Sequence, residues 1–163
     1  MTRDTFIEHV TSCQKPFRRF LTALCCGDSQ LADDIAQESF IKAYLSCDGL
    51  EDTARFNAWV YKIGVNTFIS HRRSAKKTAD IDSVAEALSS DTSDSSFRYQ
   101  ALYSALDSLP ERERTSVVLY YLEGYSVREI ADIVQVSQDA VKQHLFRGRK
   151  HLRSILEENE NGR

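Results

Sequence analysis

Ser126-Val127-Arg128-Glu129-Ile130-Ala131-Asp132-Ile133-Val134-Gln135-Val136-Ser137-Gln138-Asp139 holds two helix starts in one short run. Ser126 and Glu129 form a capping box: the serine oxygen and the glutamate side chain can each satisfy an amide that the first turn of a helix leaves without a partner. Ser137 repeats the N-cap chemistry, and Asp139 behind it sits where a negative charge suits the positive end of a helix. A helix opened at Ser126 can therefore last only from about Val127 to Val134 before the next begins. Two helices joined by so short a turn need a small residue at their crossing, which Ala131 provides. They also need a shared apolar seam, for which Ile130, Val136, Val141 and Leu145 are available. The pattern predicts a helix-turn-helix whose second helix is the reader.

The exposed positions of that second helix carry amide and cationic donors: Gln138, Lys142, Gln143, Arg147, Arg149, Lys150 and Arg153, with Asp139 the only acid from Ser137 to Arg153. Lys and Arg meet phosphates, and Gln and Arg can also address base edges in the major groove. A solvated basic face on an ordinary bundle helix would carry the same charges. The two caps at this spacing turn the balance toward DNA.

Working outward, the rest of the chain also reads as helical. Proline occurs only at positions 16 and 110 and glycine is scarce, so the punctuation that many tight turns between strands would need is missing. Phe6, Val10, Phe17, Phe20, Leu21 and Leu24 mark a long first helix, expected to be disturbed near Pro16 and to end near Gly27. A second helix runs from about Gln30 to Leu45. Ala32, Ala36, Phe40 and Ala43 face its core side, widened by Leu31, Ile35 and Tyr44, while Asp34, Gln37, Glu38 and Ile41 lie opposite at spacings of three and four. A third, from about Ala54 to Lys77, turns Phe56, Trp59, Val60, Ile63 and Thr67 inward and Lys62, Asn66, Ser70 and Arg73 outward. Beyond it, a helix from about Phe97 stops at Leu109-Pro110. Pro110 at the first helical position, followed by Glu111, opens another that runs to Gly124.

Between these groups, residues 78–96 are rich in Ser, Asp, Ala and Thr and lack aromatics, and so read as an acidic linker. Ile81, Val84, Ala85 and Leu88 recur within it at helical spacing, enough for a short amphipathic turn. The expected fold class is all-α: two small helical domains, residues 1–77 and 97–163, joined by a flexible linker.

Charge is distributed in blocks. The net charge of −3 hides seven acids against Lys42 alone from Asp28 to Thr53. Six bases and no acid follow from Ala54 to Lys77, and then five acids and no base from Thr78 to Ser96. Blocks of alternating sign suit several partners of different charge. Cys13, Cys25, Cys26 and Cys47 show no C-x-x-C or Cys/His ligand spacing, and cysteine in a reducing compartment behaves as a small buried hydrophobe, so no metal is expected. No apolar run approaches the roughly 18 residues of a membrane span, and the start Met1-Thr2-Arg3-Asp4 lacks the features of a signal peptide, which together read as cytoplasmic without membrane insertion. The four histidines are scattered, and neither a Gly-rich phosphate loop nor a paired nucleophile and base occurs, so neither an enzyme nor a cofactor is expected.

Three segments add a family likeness. Asp34-Ile35-Ala36-Gln37-Glu38-Ser39-Phe40-Ile41-Lys42-Ala43-Tyr44, Trp59-Val60-Tyr61-Lys62-Ile63-Gly64-Val65-Asn66 and Ser108-Leu109-Pro110-Glu111-Arg112, followed by the helix-turn-helix, resemble bacterial extracytoplasmic-function sigma factors. These short members of the sigma-70 family carry only its domain 2 bundle and its domain 4 helix-turn-helix. The resemblance implies an alternative sigma factor that binds core RNA polymerase, through the β′ clamp helices and the β flap, and directs it to promoter DNA. Asp34, Gln37, Glu38 and Ile41 then face the clamp helices. Leu50, Lys62, Asn66, Arg72 and Arg73 face the single-stranded minus-ten element, with the loop around Asp48, Gly49 and Leu50 receiving a flipped base. Gln138, Lys142, Gln143, Phe146, Arg147 and Arg149 fall to the minus-thirty-five element. Trp59 could stack on a base or belong to the core, and core is favoured. The resemblance also implies an anti-sigma factor that holds the chain inactive.

Two other readings compete. A stand-alone helix-turn-helix regulator would bind duplex DNA as a dimer, leaving the Asp34 to Ile41 face without a task. An adaptor that occupies an inhibitor would not touch DNA at all.

Overall fold

The computed structural model describes residues 1–79 and 94–161. Among these residues there are seven α-helices and no strand, as the sequence leads one to expect. Residues 80–93 of the expected linker, with Ile81, Val84, Ala85 and Leu88, lie outside the described residues, while its ends, 78–79 and 94–96, are helical. No helix among the described residues is long and apolar enough to cross a membrane.

Helix α1 (Arg3–Leu24) opens on Thr2, whose hydroxyl accepts from the Thr5 amide at 3.2 Å, and passes through Pro16 without a break. The helix tolerates this residue for a local reason. Proline frees the carbonyl four residues earlier; here that residue is the exposed Ser12, where water can take up the missing bond. Helix α2 (Ser29–Ser46) starts on Asp28, which accepts from the Leu31 amide at 3.1 Å. Two short 3₁₀ turns, Cys47–Gly49 and Thr53–Arg55, lead into α3 (Phe56–Ala79). The three helices enclose Phe17, Phe20, Leu24, Ile35, Ala36, Phe56, Val60 and Phe68. Trp59 is half-buried beside Phe56, with ring centroids 5.9 Å apart, and serves packing.

The second half comprises α4 (Asp94–Asp107), α5 (Glu111–Val117), α6 (Val127–Val134) and α7 (Gln138–Asn161). Pro110 is the N-cap of α5 rather than its first helical residue: its ψ of 147° is extended, while its carbonyl already accepts from the Arg114 amide at 2.9 Å. Beyond Val117 the chain does not continue as an α-helix to Gly124. It widens into a π-helical turn, Val118–Leu122, and the Glu123 amide donates to the Val118 carbonyl five residues back at 3.2 Å. Leu106, Leu109, Val118, Leu119, Ile130, Ile133, Val141 and Leu145 fill the core of this half.

The two halves pack against each other, and their apolar interiors form one continuous cluster. The Tyr61 ring of α3 meets Tyr125 edge-on at 5.3 Å. Its hydroxyl, held in the O–H form by burial, donates to Glu123 at 2.9 Å. Burial also pushes the Glu123 carboxyl up from its ordinary value, against the opposing effects of the Tyr61 hydrogen bond and Arg19. At the end of α1, Gly27 takes φ +92°, and a Cβ there would come 2.8 Å from the Tyr103 ring of α4.

The central polar group of this contact is Arg114, which is 2 % exposed. Its guanidinium donates to the carbonyls of Leu106 (2.8 Å), Asp107 (3.2 Å) and Leu109 (3.2 Å) at the end of α4, and to that of Leu24 (3.1 Å) at the end of α1. Helix C-termini present carbonyls without partners and a partial negative charge, so one buried cation answers both ends. Replacing Arg114 by Met should lower stability to urea by about 2 kcal/mol or more, since the buried carbonyls of Leu24 and Leu109 lose their donor at about 1 kcal/mol or more each. Gln135, at φ 58° and ψ 48°, is the strained joint between α6 and α7. Gln135→Gly should raise Tm by a few degrees at most, corresponding to about 1 kcal/mol of relieved strain less the entropy that glycine loses on folding.

Candidate nucleic-acid interface

The helix-turn-helix forms as its caps require. Ser126 accepts from the Glu129 amide at 3.1 Å while Glu129 accepts from the Ser126 amide at 3.3 Å, and Ser137 accepts from the Ala140 amide at 3.1 Å. Ala131 sits at the crossing, 8 % exposed, and Ile130, Val141 and Leu145 are buried between the helices, with Val136 packed against them. Helix α7 is further fixed to α5. A Cβ at Gly148 would lie 2.7 Å from Val117, and His151 bonds the buried Glu113 at 2.7 Å.

This anchoring aims one face of α7 outward. Lys142, Gln143, Phe146 and Arg147 line a shallow hollow of about 620 Å³, with Lys150 and His151 at its far end. Gln138 precedes Lys142 by one turn and is likewise exposed. Phe146 is 63 % exposed, an apolar surface among donors that suits a thymine methyl. Burial, with Arg112 and Arg147 nearby, lowers the His144 pKa, so the imidazole adds no charge at neutral pH. Arg149 does not join this group. It donates to the Tyr121 hydroxyl at 3.1 Å, over a second, apolar hollow of about 530 Å³ in which Leu102, Tyr121, Leu122 and Leu156 are exposed.

On α3, Lys62, Asn66 and Arg73 fall on one side, Asn66 and Arg73 exposed and Lys62 half-buried. Arg72, a quarter turn away, points elsewhere. Its Nε donates to Glu111 of α5 at 3.1 Å, and its guanidinium lies 5.9 Å from the Phe68 ring centroid. Leu50 is half-buried against the core, in extended backbone after the Cys47–Gly49 turn.

On α2, Asp34, Gln37 and Ile41 are exposed together, Ile41 to 61 %. Glu38, between them, is tied back to its own bundle: His71 meets it at 2.7 Å and Lys42 at 3.0 Å, while Lys42 also donates to Thr67 at 3.2 Å. The sequence reading missed Leu45, 76 % exposed and one turn beyond Ile41, which extends the apolar part of this face. The spacing of four from Ile41 was the available signal. Arg114 and Tyr61 were missed as well.

The described residues thus define a DNA-binding helix-turn-helix protein with a second, differently charged helical bundle. Residues 9–78 match the family Sigma-70 region 2, and residues 99–152 match Sigma-70, region 4. RNA polymerase sigma factor SigV of Bacillus subtilis (strain 168) is 32 % identical over 155 residues, covering 95 % of this chain and 93 % of SigV. ECF RNA polymerase sigma factor SigW of the same strain is 31 % identical over 145 residues, covering 80 % of this chain and 78 % of SigW. The same fold occurs in the sigma factor RpoE of Bartonella quintana, solved with the anti-sigma factor NepR, at 22 % identity and a TM-score of 0.77, covering 96 % of this chain and 98 % of that one. CnrH, solved with the cytosolic domain of CnrY, matches with a TM-score of 0.72 at 22 % identity, over 96 % of this chain and 90 % of that one. The chain belongs to the extracytoplasmic-function group of the sigma-70 family of RNA polymerase sigma factors.

Hydrogen bonding from His71, and then from Lys42, holds the Glu38 carboxyl below its ordinary range. A carboxyl lowered on folding adds stability above its unfolded pKa and loses it as pH falls through the folded value. Carbon-detected NMR should therefore find Glu38 titrating below a free glutamate, and His71→Ala should move it back up.

Proposed function

We propose that the chain's three exposed faces divide the work of promoter-specific initiation. The α2 face of Asp34, Gln37, Glu38 and Ile41 docks on the clamp helices of β′, with Leu45 widening its apolar part. The α3 face of Lys62, Asn66 and Arg73, together with Arg72 and the loop at Leu50, holds the unstacked minus-ten strand. The α7 face of Gln138, Lys142, Gln143, Phe146 and Arg147 reads the minus-thirty-five duplex. Arg149 belongs to the margin of the apolar hollow, which suits the helix of the β flap. Residues 1–77 and 97–163 act as the two working units, and residues 78–96 as the connection between them.

The observation that carries this reading is the pairing of an exposed apolar residue ringed by acceptors on α2 with two separate donor faces on α3 and α7. A free-standing regulator needs only the last of these. The acidic, partly apolar α2 face suits a basic partner helix, and the donor faces suit phosphates and base edges. In this reading the chain makes and breaks no covalent bond: binding energy selects the site and holds flipped bases, and the polymerase performs the synthesis. The working faces are exposed, so a protein that covered them would silence the chain. An anti-sigma factor, the partner present in the solved structure of RpoE, is the kind of inhibitor we infer.

Gel filtration with core polymerase should give a complex that Glu38→Lys weakens strongly. Lys142→Glu with Arg147→Glu should leave that complex intact and cut promoter-specific transcripts at least about tenfold. The same pair should reduce the salt slope of promoter binding by about 2, one for each phosphate that a cation no longer neutralises. A chain that ignores core enzyme but binds duplex DNA as a dimer would instead be a lone regulator.

A further inference from the structure

The outward face of α7 continues past Arg147. Gln143, Arg147 and His151 follow one another at intervals of four, so they share one stripe of the helix, and all three are exposed. They line one shallow hollow with Lys142, Phe146 and Lys150. His151 stands about 12 Å along the axis from Gln143, at about 1.5 Å per residue, and the major groove is about 12 Å wide. A helix that sets Gln143 against base edges therefore carries His151 to the wall of the groove, where the phosphates are.

A second observation comes from α5. Glu113 is 6 % exposed, and its Oε2 lies 2.7 Å from Nδ1 of His151. A carboxylate directed at a DNA-facing helix works against binding unless a cation stands between it and the phosphates. The imidazole occupies that place. Glu113 fixes the Nδ1 edge of the ring, while the side chain is 53 % exposed, so the edge with Nε2 is open to the hollow. In the neutral ring the single proton sits on Nδ1 in the bond to Glu113, which leaves Nε2 an acceptor that a phosphate repels. With a second proton, taken from solvent, the ring donates to the carboxylate and to a phosphate at once.

We propose that His151, positioned by Glu113, is a further phosphate contact of the promoter duplex and takes up a proton on binding it. The proposal rests on the assignment of α7 to the minus-thirty-five duplex and extends that footprint by one helical turn. The charged groups around the ring are Glu113 from α5 and Arg147 and Lys150 from α7. Among the described residues, α4 and α6 place none in the hollow. His144, the other histidine of α7, is flanked by Arg112, Glu113 and Arg147.

The test uses holoenzyme assembled from core polymerase and the full-length chain, with a duplex that the unaltered holoenzyme recovers from a random-sequence pool. The unaltered chain is compared with His151→Gln, His151→Lys and Glu113→Gln, each checked for helix content by circular dichroism. At about pH 6, where an ordinary imidazole carries charge, His151→Gln should bind the duplex about tenfold more weakly than the unaltered chain, with a log–log salt slope shallower by about 0.9. At about pH 8 the two should bind alike. His151→Lys should keep the steeper slope at both, and Glu113→Gln should flatten the pH difference. His144 is present in every protein, so its own titration cancels. Equal binding by the unaltered chain and His151→Gln at the lower pH would overturn the proposal. So would a loss of the same size at both, which a mere strut between α5 and α7 would give, or a His151→Lys chain no better than His151→Gln. A Glu113→Gln chain that keeps the full pH difference would overturn the positioning role. The pair Lys142→Glu with Arg147→Glu separates this idea from the reading beneath it: if the pair leaves duplex binding intact, the α7 assignment itself fails, and if the pair abolishes binding while His151→Gln changes nothing, only the His151 contact does.

Discussion

A buried guanidinium holding the ends of two helices is the constraint on which the described structure turns. Arg114 donates to four carbonyls, three at the end of α4 and one at the end of α1, and it is almost wholly shielded from water. A cation in that position is tolerable only because every direction it points offers an acceptor and a helix's negative end. The same group thus closes α4, closes α1 and sets the angle at which the halves meet. The apolar cluster running through both follows from that placement, with Tyr61, Tyr125 and Tyr103 filling the seam.

Around this frame the surface is divided by charge rather than by shape. α2 shows acceptors around Ile41, while α3 and α7 show donors. Short local networks connect these faces to the interior. Glu38, Lys42, Thr67 and His71 join the outer side of α2 to α3, and Glu113 with His151 joins α5 to α7. Each network fixes a surface helix by its polar side while the core fixes its apolar side, so these exposed faces stand on rigid supports.

Local chemistry was the legible part of the sequence. The capping box at Ser126 and the N-cap at Ser137 bound α6 to Val127–Val134, because caps act within four residues and need nothing distant. Periodicity gave the faces of α2 and α3 for the same reason. What depended on distant partners was hidden. Arg114 stands in Glu111-Arg112-Glu113-Arg114, where nothing in the run separates the one buried arginine from its exposed neighbour Arg112. Arg72 was grouped with Lys62, Asn66 and Arg73, although a rotation of about 100° per residue already turns it away from them. The π turn left no signal either, since Val118-Leu119-Tyr120-Tyr121-Leu122 suits an ordinary helix equally well.

That π turn has a consequence for how this chain can vary. An extra residue in one turn shifts the phase of everything after it, so Glu123, Tyr125 and the cap at Ser126 are placed by a local irregularity rather than by the length of α5. A deletion of one amino acid here would restore regular geometry and look harmless by propensity. It would nonetheless rotate the downstream backbone by about a quarter turn, carrying the carboxylate away from Tyr61 and swinging the recognition helix out of register with its support. Insertions and deletions should therefore be rarer in this five-residue stretch than its ordinary composition suggests.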